Sequence, residues 1–170
     1  YYHFPDYVHD LDRLVARLGD GPMHLVGHSM GGTVVSMLAG LRPKRFATVT
    51  IAEGLGPPEQ DVQDAPKRFA QWIDGVTRLR GKTSRPIASR EEALVRLREM
   101  HGAIEDEFGR FLAERATREV EGGFAWRFDP LHRTTSPTPF RRDTFLAFLA
   151  RIEAPVRLSL IHISEPTRPY

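Results

Sequence analysis

Met23-His24-Leu25-Val26-Gly27-His28-Ser29-Met30-Gly31-Gly32-Thr33-Val34-Val35 sets a short apolar run directly before a Gly-x-Ser-x-Gly pentapeptide and a second apolar run after it. The pentapeptide alone carries little. With glycine near ~7% of residues, a chain of this length matches it by chance on the order of a few per cent of the time. Its position carries more. Met23 to Val26 predicts a short buried parallel strand. A helix opening at the turn carries Val34, Val35, Met37 and Leu38 until Gly40 and Pro43 end it. A serine in so sharp a strand-to-helix turn is forced into a strained backbone conformation. Glycine at Gly27 and Gly31 is expected to remove Cβ atoms that would collide with the strand and helix. Ser29 Oγ then projects above the carboxyl edge of the sheet, where ligands bind in open α/β folds. The helix dipole points at the same spot, which makes the Met30 N–H the expected oxyanion donor.

Working outward, Val8, Leu11, Val15 and Leu18 fall at helical spacing and predict a helix from Pro5 to Leu18, stopped by Gly19. Asp20-Gly21-Pro22 reads as a turn. Arg45 to Ile51 is rich in β-branched residues and predicts a second buried strand. Helix, strand, helix and strand in this order is the signature of a parallel sheet. Beyond Gly54-Leu55-Gly56-Pro57-Pro58 the pattern changes to helices without convincing core strands. One carries Phe69, Trp72, Ile73 and Val76 on a single face. Another opens with the capping-box pair Ser89 and Glu92, and a third carries Ile104, Phe108, Phe111 and Leu112. Phe124 to Phe128 reads as a short extended piece, Phe145, Phe148, Leu149 and Ile152 as a final helix, and Pro155-Val156-Arg157 as the start of another strand.

Composition bounds the function without naming it. The chain has 170 residues, 41% hydrophobic and 27% charged, which is ordinary globular material with enough apolar residues for a core. The absence of cysteine excludes a disulfide framework, a thiolate zinc site and a cysteine nucleophile. A net charge of +2 with mixed signs does not point to nucleic acid, and no run is long enough to span a membrane. Neither a metal nor an organic cofactor is implied. Compartment and oligomeric state are left open.

A serine hydroxyl is a poor nucleophile until a base takes its proton, so the turn requires a histidine and an orienting acid. His28 is adjacent to Ser29 but its side chain is expected to point away, as a packing or pocket-lining residue. His24 reads as a satisfied core histidine. His3, His9, His101 and His132 lie where this architecture does not place a base, so the base is expected to be absent from this chain. Glu53 follows the second strand at the sheet's active edge and is the candidate acid, with a lid-hinge or polar contact as the other reading. Among the aromatic residues of the insert, Trp72 and Trp126 are the candidate substrate contacts.

Three stretches make the chain resemble the α/β-hydrolase superfamily, within it the serine hydrolase-like branch. They are Phe4-Pro5-Asp6-Tyr7-Val8 with Asp10-Leu11, Gly27 to Gly32, and Phe148-Leu149-Ala150-Arg151-Ile152-Glu153-Ala154-Pro155-Val156; Asp129-Pro130 is a weaker echo. The resemblance implies a partial α/β-hydrolase fold, class α/β, with a parallel sheet, a nucleophile elbow and a helical lid insertion. The expected domains are a core segment over 1–54, a helical cap over 55–140, a return to the core over 141–157 and a non-native tail over 158–170. That tail resembles the in-frame translation of a sequencing adapter, so His162 and Glu165 are not taken as triad partners. In such proteins the last stretch leads to a strand ending in Gly-x-x-Asp, with the base histidine later. Here Arg157 interrupts the apolar strand, and the upstream His-Gly loop that supplies a second oxyanion donor is also missing. The implied activity is hydrolysis of an ester or related small-molecule acyl substrate through an acyl-enzyme on Ser29, with this chain alone inactive. Carbon–carbon bond hydrolysis, cofactor-free haloperoxidase chemistry and a non-catalytic binding role stand as alternatives.

Overall fold

Apolar spacing and local capping account for most of the elements seen in the computed structural model, which describes residues 2–80 and 85–160. Val8 and Val15 are the buried stripe of α1 (Phe4–Arg17), which Pro5 helps to start. The first strand, β1 (Met23–His28), outruns the expected one by two residues and passes straight into α2 (Met30–Leu41). The next strand is β2 (Phe46–Ala52), and α3 (Ala65–Leu79) follows after a 3-10 turn. Ser89 caps α4 (Arg90–His101) by accepting from the Glu92 N–H. The Glu92 carboxylate in turn accepts from the Ala88 N–H rather than from that of Ser89, so the box closes one residue wider than the sequence pattern indicates. Then come α5 (Asp106–Ala116), β3 (Thr117–Val120), β4 (Gly123–Trp126), α6 (Arg142–Leu149) and β5 (Val156–Ser159).

β1, β2 and β5 form a parallel sheet in the order β1-β2-β5. Helix α2 packs on β1 and β2 and is flanked by α1 and α6. The core beneath it is Leu25, Val34, Val35, Leu38, Val49 and Ile51 with Val8, Val15 and Phe46. Leu38 and Val49 are fully enclosed. Gly40 marks the crossing of α2 and α6, because a Cβ there would stand 2.1 Å from the Phe148 carbonyl oxygen.

Alternation along β1 corrects one expectation. Leu25 and Gly27 are buried under α2, whereas His24, Val26 and His28 are exposed. His24 is therefore not a core histidine. It belongs to the other face of the sheet, where its Nδ1 lies 2.8 Å from Thr48 Oγ1. The same alternation accommodates Arg157, whose register partner is Thr50 rather than Val49 or Ile51. The strand thus continues through Arg157 to Ser159.

Residues 2–72 and 136–160 belong to one compact unit and Ile73–Thr135 to another, so the second unit is narrower than the expected 55–140. Residues 55–72 and 136–140 stay with the sheet unit through Phe140, which packs against Phe4 and Phe145, and through the Gly56 N–H, which donates to Thr33 Oγ1; the two segments are also tied to each other. Phe140 and Gln60 exchange hydrogen bonds, Arg68 donates to the Ser136 carbonyl, and the Phe140 ring lies over Gly56. The second unit has its own core of Ile87, Ala93, Leu94, Leu97 and Ala113, with Phe124 and Trp126 packed against it. It also holds an antiparallel hairpin, β3–β4, where only an extended piece at 124–128 was expected.

Candidate active site

The backbone at Ser29 is the distinctive feature of the sheet's carboxyl edge. With φ 52° and ψ −122°, Ser29 occupies a conformation that only glycine adopts freely. Tertiary structure fixes it from three sides. Its N–H donates to the Ala52 carbonyl on β2, and its own carbonyl accepts from Gly32 and Thr33 in the first turn of α2. Two close backbone approaches complete the enclosure. A Cβ at Gly27 would lie 2.4 Å from the Gly31 carbonyl oxygen, and one at Gly54 would lie 2.3 Å from that of Ser29.

Gly31 does not behave as expected. A Cβ there meets nothing within 4 Å among the described residues. The crowded helix glycine is its neighbour Gly32, whose Cβ would stand 2.5 Å from the Glu53 carbonyl oxygen and 3.1 Å from Gly54 Cα. The reason is helical geometry. One step along α2 turns the Cα by about 100°, so Gly32 rather than Gly31 faces the end of β2.

Beyond β2 the chain bends sharply at Glu53 (φ 50°) and Gly54 (φ 130°). Thr33 ties this bend to α2. Its buried hydroxyl donates to the Gly54 carbonyl and accepts from the Gly56 N–H, both at 3.1 Å. Glu53 is thereby brought to the same cleft as Ser29. That cleft, about 330 Å³, is walled by Ser29, Met30, Thr33 and Glu53 with Phe4, Gly54, Gly56 and Pro57. Met30 is the first residue of α2, so its N–H has no carbonyl one turn back within the helix to bond.

His28 sits outside this wall. It is 68% exposed, and its Nε2 stands 3.8 Å from a Glu53 carboxylate oxygen. Strand alternation puts it with His24 and Val26 on the open face of the sheet rather than toward the cleft. Trp72 is also absent from the wall; its ring packs edge-on against Phe69 at 5.4 Å. Trp126 lies in the second unit, stacked with Phe128 in that unit's own groove. No side chain among the described residues hydrogen-bonds Ser29 Oγ, and none of them form a cluster able to hold a metal ion. Thr33 and Gly54 are not among the site residues expected from the sequence. A glycine two residues past a strand rich in β-branched residues is an available signal for the second; nothing in the pattern singles out the first.

Residues 1–125 match the family model described as alpha/beta hydrolase fold. A curated relative from Danio rerio, "Serine hydrolase-like protein", is 29% identical over 163 residues, covering 94% of this chain and 50% of its own length. Among solved structures, the hypothetical protein PA1622 from Pseudomonas aeruginosa PAO1 is 31% identical with a TM-score of 0.82, over 94% of this chain and 56% of that one. The thioesterase domain from the curacin biosynthetic pathway is 28% identical with a TM-score of 0.77, over 99% and 60% respectively. The chain thus spans about half the length of the curated relative it matches. With a serine elbow between β1 and α2 of a parallel sheet and a family match over most of its residues, the chain belongs to the alpha/beta hydrolase fold family.

Proposed function

We propose that Ser29 is the nucleophile of a hydrolase acting on an ester or related acyl substrate. The observation that carries this reading is the strained elbow itself, which puts Ser29 in a cleft shared with a carboxylate and a helix N-terminus. Ser29 Oγ attacks the acyl carbonyl as a histidine base takes its proton. The Met30 N–H donates to the oxyanion, a contact worth ~3 kcal/mol in comparable sites. Collapse expels the alcohol or thiol, which leaves with the proton from the base, and water then releases the acid from Ser29. Glu53 is assigned as the acid that orients the histidine, because its backbone bend and the Thr33 tie hold it at the cleft. No base is assigned among the described histidines. The second unit, Ile73–Thr135, within the insertion expected over 55–140, is read as the cap.

The test is fluorophosphonate labelling of the product of the complete gene. Labelling of the wild type that disappears in Ser29→Ala supports the nucleophile, and turnover strongly reduced in Glu53→Gln supports the acid. A folded wild-type protein that takes no label overturns the assignment of Ser29.

A further inference from the structure

The second unit carries a groove whose charge its sequence does not explain. Residues 73–135 contain eleven arginines and eleven acidic residues, so this stretch is close to neutral. Five of those arginines (Arg85, Arg96, Arg118, Arg127 and Arg133) line a single groove, against only two of the acids, Glu121 and Asp129. The groove measures about 870 Å³, within the range of small-molecule sites. Its floor includes Trp126 and Phe128, whose rings stack 6.2 Å apart and 21° from parallel.

The five arginines are not equally engaged. Arg96 is paired with Glu92 along α4, and Arg127 Nε donates to the Thr117 carbonyl. Arg133 lies over the Phe128 ring at 4.8 Å. The side chains of Arg85 and Arg118 make no hydrogen bond or ion pair among the described residues. Asp129 is occupied in capping the 3-10 turn that follows, accepting from the Leu131 N–H. Gathering five like charges around one hollow raises the electrostatic energy of the folded state unless an anion is bound there. Guanidinium groups match phosphate oxygens two at a time, and a flat aromatic pair offers a stacking surface for a planar ring.

We infer that this groove binds a nucleoside phosphate, with the base against Trp126 and Phe128 and the phosphates on Arg85 and Arg118. The site is independent of the Ser29 chemistry. ADP is the probe, with pyrophosphate and adenosine as its two halves, in a Trp72→Phe background that leaves Trp126 as the only tryptophan. ADP should bind saturably and quench Trp126 emission, more tightly than either half. Binding should weaken as salt rises, and by about tenfold or more in Arg85→Glu/Arg118→Glu. Arg110→Glu/Arg115→Glu, which keeps two charge reversals outside the groove, should bind as the background does. If the double reversal fails to fold, Glu121→Gln serves instead and should tighten binding. Three results overturn the inference: no saturable binding at millimolar ADP, pyrophosphate binding as tightly as ADP with no change in Trp126 emission, or ADP binding indifferent to the groove substitutions.

Discussion

Three glycine-to-alanine substitutions separate the sterically required positions of the elbow from the one that only completes the motif. Gly27→Ala puts a methyl 2.4 Å from the Gly31 carbonyl oxygen and 2.7 Å from Val35 Cγ2, where ordinary contact begins at 3.4 Å. The carbonyl belongs to the first turn of α2 and cannot swing aside as a side-chain tip would. Gly32→Ala meets another backbone oxygen, that of Glu53, at 2.5 Å. Relief in both cases means moving α2 away from the sheet, across the best-packed part of the core. Overpacking of this kind costs about 1–3 kcal/mol, and rigid backbone neighbours place both variants toward the upper end. Gly31→Ala meets nothing within 4 Å and sits in a helix at negative φ, where alanine is favoured over glycine by up to ~1 kcal/mol in a helix interior and by less in the first turn. Urea denaturation of the three variants, read as midpoint shifts at constant m, is the assay. The expected order is Gly31→Ala at or slightly above the parent, with Gly27→Ala and Gly32→Ala well below it. A Gly31→Ala variant destabilised as much as Gly32→Ala would refute the steric account.

Other outcomes follow from single interactions. Ser29→Gly should be more stable than Ser29→Ala by about 1 kcal/mol, since only glycine relaxes the positive-φ turn; equal melting temperatures would show that the turn is unstrained. Thr33→Val keeps the shape of a buried side chain but strands the Gly54 carbonyl and the Gly56 N–H, a loss of ~1–3 kcal/mol. Thr33→Ser should recover most of it, and a serine variant no better than valine would count against the hydroxyl bridge. Arg42 grips Asp12 with two hydrogen bonds, which hold the Asp12 carboxyl below the usual carboxylate range. Because the folded value is the lower one, this stabilisation is present above the unfolded pKa near ~3.9 and is lost as pH falls through the folded value. Asp12→Asn should therefore flatten the acid limb of the stability curve, and parallel limbs for the two proteins below about pH 4 would contradict it.

How much of this was legible from residues alone depended on whether the controlling contact was local. The strand, turn and helix around Ser29 were readable, because an apolar run, a tight turn and a helical stripe are patterns of near neighbours. Of the two motif glycines, Gly27 is crowded as its place in the turn implies, whereas the crowding expected at Gly31 falls on Gly32 for the opposite reason. Gly31 completes a motif, but Gly32 faces Glu53 and Gly54, more than twenty positions away. His24 was misplaced because a four-residue apolar run does not reveal whether one face of its strand is covered or both. The β3–β4 hairpin escaped notice since Thr117-Arg118-Glu119-Val120 carries charges at its centre and owes its pairing to the Gly122-Gly123 turn. Glu53 was picked out by its place after a strand, yet the Thr33 hydroxyl that holds the bend beside it was not.

The contact between Gly54 and the Ser29 carbonyl has a consequence for how such a site can be inherited or borrowed. A pentapeptide moved into another scaffold would bring its serine but not the facing glycine, and any residue with a Cβ opposite it would press 2.3 Å from the turn's own oxygen. The unit that must travel together therefore runs from Gly27 through Gly54 and includes an entire helix and the following strand. A crossover anywhere inside that span, joining one homologue's turn to another's bend, tests backbone against backbone rather than side chain against side chain. Recombination breakpoints in relatives of this chain should accordingly avoid positions 33 to 53 and fall in the insertion that follows.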